Sequence, residues 1–105
     1  MVDPITNFTS KTFAEQLHSN FTVQLGNGNS IKLKLTAVNE PPAPPGIELF
    51  SLLFQGPREP RLNQQIHHFE HEKLGAFDLF LTAVGADEQS TSYEVIFHRL
   101  RKKQP

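Results

Sequence analysis

Cysteine and tryptophan are absent from this 105-residue chain, and tyrosine and methionine each occur once. The lack of cysteine excludes disulfides and thiolate metal sites, and it fits a reducing, cytoplasmic setting. Neither sign of charge dominates, because 10 Lys and Arg stand against 11 Asp and Glu for a formal net charge of -1. Nothing in that balance advertises nucleic acid or an anionic membrane as a partner. No run approaches the roughly 18 apolar residues that span a bilayer, and the opening Met-Val-Asp-Pro lacks the basic region of a secretory leader. What the chain does carry is nine phenylalanines. Phenylalanine has no polar handle, so this content reads as core packing more than as a wet aromatic binding platform.

The pattern predicts one domain over residues 1–105. Residues 8–18 read as a short helix capped by Thr9, with Phe8 and Phe13 spaced as a hydrophobic staple. Thr12 with Glu15 is an alternative cap that shortens it. Phe13 and Leu17 are i,i+4 neighbours, so both are expected to dock on the rest of the fold. Phe21, Val23 and Leu25 then alternate with polar residues, Gly26-Asn27-Gly28-Asn29 supplies a turn, and Ile31, Leu33 and Leu35 alternate after it. That is a β-hairpin. The prolines of Glu40-Pro-Pro-Ala-Pro-Pro-Gly46 make the next stretch a stiff surface connection.

Ile47–Gln55 is apolar at alternate and intervening positions, with Phe50, Leu52 and Phe54 facing one way and Leu49 and Leu53 the other. This suits a strand covered on both faces. Residues 62–74 fit either a helix through Leu62, Ile66 and Phe69 or a short, polar edge strand at Ile66–Glu70. Strands follow at Ala76–Val84 and Thr91–Leu100, and residues 101–105 read as a flexible basic tail.

Three strings carry a resemblance. Phe50-Ser-Leu-Leu-Phe-Gln-Gly-Pro57, Glu70-His-Glu-Lys-Leu-Gly75 leading into Phe77-Asp-Leu-Phe80, and Tyr93-Glu-Val-Ile-Phe97-His-Arg99 resemble a small bacterial domain-of-unknown-function family, over roughly Phe8 to Leu100. The resemblance implies a capped, Phe-containing helix at the start and a strand like Phe21–Leu25 after it. The chain departs from that pattern at His18 and near Gln65, where the family tends to glycine. The family's frequent proline between the positions of His71 and Leu74 implies a strand and turn, not a helix, over residues 62–74. It brings no established activity.

The densest polar cluster is His67, His68, Glu70, His71 and Glu72. On a helix, His67 and His71 share a face at zinc-binding spacing. On a strand they lie about 13 Å apart at ~3.3 Å per residue, which is too far for one ion. The strand reading therefore leaves His67, His68, Glu70 and His71 as weak metal candidates, and it predicts no structural zinc. Ser51, between Phe50 and Leu52, reads as a small core-side filler. Asp78 and Glu94 form a carboxylate pair only if their strands adjoin. Arg99, Arg101, Lys102 and Lys103 concentrate positive charge without interleaved aromatics, which suits a solubilising tail better than a nucleic-acid contact.

These readings predict an all-β protein: an antiparallel meander of about six strands forming a small barrel or sandwich, with the N-terminal helix over one opening or face. The expected function is a non-catalytic protein-interaction or assembly accessory. It has no catalytic residues and no cofactor, its partner is a protein or a second copy of the chain, and it binds neither nucleic acid nor membrane. The alternatives are a small apolar-ligand carrier using the barrel interior, and a metal-dependent enzyme using the His67–His71 region.

Overall fold

The computed structural model describes residues 7–100. A helix α1 (Ser10–Ala14) is followed by strands β1 (Asn20–Gly26), β2 (Asn29–Asn39), β3 (Ile47–Pro57), β4 (Gln65–His71), β5 (Gly75–Ala86) and β6 (Ser90–Leu100). The strands close into an antiparallel barrel in the order β1-β2-β3-β6-β5-β4. The connectivity is two three-stranded meanders and not one continuous meander. After β3 the chain crosses the barrel mouth, so that β3 pairs along its whole length with β6, from Ile47↔Leu100 to Pro57↔Ser90. Closure comes from β4 against β1, through Thr22↔Glu70 and Val23↔Phe69.

The period-two pattern explains why a barrel forms. Inward positions are apolar on every strand, and closing the sheet buries them while leaving few unpaired backbone edges. Phe21, Val23, Leu33, Leu35, Phe54, Phe69, Leu81 and Tyr93 are all essentially inaccessible. The interior is solid, with Phe21 edge-on to Phe54 at 5.2 Å and Phe69 stacked on Phe77 at 6.0 Å. One end is plugged by Leu62, whose backbone N–H donates to the buried Tyr93 hydroxyl at 2.9 Å.

Phe13 plugs the other end. It is fully buried and meets the rings of Phe21, Phe50, Phe77 and Phe97 at 5.5 to 6.4 Å. Phe8 packs edge-on against Phe13 at 5.5 Å, as the staple predicts. Thr9 is the N-cap, and its capping box is completed by Thr12: the Thr9 N–H donates to the Thr12 hydroxyl at 3.0 Å. The helix is shorter than predicted and ends at Ala14. Leu17 does not dock; it lies beyond the helix and is 39% exposed.

Four other expectations are corrected. The strand at residues 65–71 is no edge, because it is paired with β5 throughout and with β1 in part. Ser51 points outward opposite Ile96 and is half-buried, since Phe50 and Leu52 take the inward positions. The outer face of β3, with Ile47, Leu49 and Leu53, is only half-buried and not a second covered face. Arg99 belongs to no tail. Its guanidinium lies 2.7 Å from Glu48, sits 5.2 Å from the centre of the Phe97 ring and donates to the Phe8 carbonyl. Arg101, Lys102 and Lys103 lie outside the described residues.

Candidate functional site at the helix end of the barrel

The segment linking α1 to β1 turns sharply at His18, whose φ is +72°. Its N–H donates to the Leu35 carbonyl at 2.7 Å, and the Leu35 N–H donates to the Ser19 carbonyl at 3.1 Å. This fixes Ser19 at the barrel rim. The turn from β4 to β5, residues 72–74, ends on Gly75 with φ +82°. Between link and turn lies a cleft of about 890 Å³, with Glu15, Lys32, Glu70, Glu72 and Lys73 around it and Ser19 and His71 in its wall.

His71 is buried against Phe21, ring centre to ring centre 4.3 Å. Its Nδ1 accepts from the backbone N–H groups of Lys73 at 3.0 Å and Leu74 at 3.3 Å. A nitrogen that accepts carries no proton, so the neutral ring is protonated on Nε2. Nε2–H donates to the Ser19 hydroxyl at 2.9 Å, and that hydroxyl donates to the Gln16 carbonyl at 2.6 Å. Burial holds the His71 pKa below the ordinary histidine value; the Glu72 carboxylate partly offsets this, and Lys73 adds to it. Ser19 and His71 thus make a serine–histidine contact with the proton on the wrong side for general-base catalysis. A base must accept from the hydroxyl, whereas His71 donates to it.

The other predicted site residues are dispersed. His67 points inward, like His71, but at the opposite end of β4 with the buried Phe69 between them. Its Nε2–H donates to the Asn63 carbonyl at 2.8 Å. His68 and Glu70 face outward; His68 lies 2.9 Å from Asp78 and 3.8 Å from Glu70, while Glu70 also accepts from Gln24 at 2.9 Å. Among the described residues, no three His, Asp or Glu side chains converge at metal-binding spacing. Asp78 and Glu94 are on adjoining strands but out of register, with Asp78 opposite His68 and Glu94 opposite Thr82 and Leu53.

Sequence reasoning missed Ser19, because its contact with His71 spans 52 residues and leaves no local trace. A signal for His71 did exist. It stands just before a turn that ends on glycine, a position that favours a side-chain acceptor.

Fold and cleft define a small, closed antiparallel β-barrel whose mouth is stoppered by a one-turn helix. The chain belongs to the family described as Domain of unknown function (DUF6916), whose family model matches residues 8–97. No curated protein and no solved structure matches it. No helix among the described residues is long and apolar enough to cross a membrane.

Proposed function

We propose that this domain is a non-catalytic assembly module that pairs with a second copy of its own chain through the outer face of β4, β5 and β6. The observation that carries the reading is an outward apolar row. Ile66 and Phe80 stand directly opposite each other on β4 and β5, and they are 64% and 51% exposed. On β6, Ile96 also faces outward and is 61% exposed. Isolated exposed apolar residues are ordinary, but an exposed apolar pair directly opposite each other on adjoining strands, with a third on the next strand, marks a contact surface.

A second copy suits this face. The net charge of -1 brings almost no repulsion between copies. The row is flanked by Glu94 and His98, and by Asp78 already paired with His68, so a two-fold arrangement can set Glu94 of one copy against His98 of the other. The filled interior weighs against a ligand carrier, and the proton arrangement at His71 weighs against catalysis. The cysteine-free composition fits a cytoplasmic setting for this role.

Sedimentation equilibrium tests the proposal. The expected result is a dimer for the unaltered chain and a monomer for Phe80→Glu and Ile96→Glu, with all three melting alike at dilutions where the unaltered chain is also monomeric, because both positions face outward. A chain that stays monomeric to roughly millimolar concentration, where even a weak Kd is exceeded, overturns the self-pairing.

A further inference from the structure

Two hairpin turns of the second meander are held by the same device. In the β5–β6 turn, the Asp87 carboxylate accepts from the N–H groups of Gln89 and Ser90, two and three residues on, at 2.8 Å each. In the β4–β5 turn, His71 Nδ1 accepts from the N–H groups two and three residues on, at Lys73 and Leu74. A carboxylate can accept throughout the neutral and mildly acidic range. An imidazole nitrogen can accept only while it is unprotonated.

From this geometry we infer that the β4–β5 turn is an acid-released latch, closed by neutral His71 and opened when Nδ1 gains a proton. Protonation places an N–H on Nδ1 facing two N–H donors. Lys73 and Leu74 lose their acceptor, while the Nε2–H bond to Ser19 is kept. The ring therefore stays on the rim, and the turn swings away from it about Gly75, where a left-handed φ and open space on the Cα leave the backbone free. The cleft shares this turn as a wall, so release widens it. Five charged groups surround the ring's side of the cleft: Glu15 from α1's extension, Lys32 from β2, and Glu70, Glu72 and Lys73 from β4 and its turn. Glu72 and Lys73 leave with the turn, so Glu15, Glu70 and Lys32 stay with the protonated ring and the opened mouth carries no excess of either charge.

The test combines imidazole ¹⁵N shifts with amide hydrogen exchange on the full chain. At about pH 7.5, His71 Nδ1 is expected to show the shift of an unprotonated nitrogen. Protection of the Lys73 and Leu74 amides, corrected for intrinsic rates, is expected to fall by up to roughly tenfold per pH unit between the ordinary imidazole pKa and the lowered one, then to level off, while β3 and β6 amides lose less. His71→Asn restores an acceptor two and three residues before the same N–H groups, so its turn protection is expected to be independent of pH across this range. A protonated Nδ1 at neutral pH, protection that ignores pH, or an identical acid release in His71→Asn each overturns the latch.

Discussion

At His18 the backbone takes φ +72°, a conformation that costs a side-chain-bearing residue about 1–2 kcal/mol. Glycine removes that cost but adds about 0.5–1 kcal/mol of unfolded-state entropy. The strain is the larger of the two, so His18→Gly is expected to stabilise by several tenths of a kcal/mol to about 1 kcal/mol, read as a higher midpoint in denaturant melts. The opposite sign holds at Gly56. A Cβ built there lies 2.4 Å from Leu33 Cδ2, inside the packed core, with Tyr93 at 3.7 Å beyond. Gly56→Ala is therefore expected to destabilise by about 1–3 kcal/mol, the usual cost of overpacking. A loss below ~0.5 kcal/mol would show that Leu33 moves aside freely. The resemblance string ending in Gln-Gly-Pro is thus a packing motif, with its glycine required by a neighbouring strand.

At the scale of elements, α1 is too short to be stable alone and persists because it is tied down. One residue supplies the tie. Phe13 is fully buried among five rings, so Phe13→Ala is expected to cost about 3–5 kcal/mol. Leu17→Ala, at a 39% exposed position, is expected to cost no more than about 0.5 kcal/mol. Equal losses in urea melts would contradict this division. The i,i+4 spacing that pairs Phe13 with Leu17 holds only while a helix continues, and this one stops at Ala14.

For the molecule as a whole, the two turn acceptors predict how stability follows pH. Burial keeps the His71 pKa below its ordinary value, so between the two values the unfolded chain binds the proton more readily. Stability from this group is then full above about pH 6.5, declines as pH falls through the folded pKa and is flat below it. The Asp87 pKa is lowered by the backbone N–H groups of Gln89 and Ser90, so its contribution persists through that window and fades only as pH falls from the ordinary carboxylate value through the lowered one. Melting temperature is expected to drop between about pH 7 and 5 in the unaltered chain and to drop less in His71→Asn. A strong chelator is expected to leave the melting temperature unchanged, because burial holds the barrel together. A fall of several degrees reversed by zinc would refute that.

The alternation of Phe21, Val23, Leu25 and of Tyr93, Val95, Phe97 is a local property, and it determined strand identity and inward faces before any contact was known. The same holds for the Thr9 cap and the Phe8–Phe13 staple, which lie within five residues of each other. Strand order was beyond that reach. Nothing local distinguishes β3 pairing with β4 from β3 pairing with β6, since both present apolar alternation to a neighbour. The choice falls to whichever closure buries Phe50 on Phe97, which stack at 4.4 Å. Tertiary structure also decided what His67 and His71 do. Alternation sets both inward and the adjacent turn N–H groups put the His71 proton on Nε2, but Asn63 and Ser19, which receive the two Nε2 protons, come from loops whose positions depend on the closed barrel.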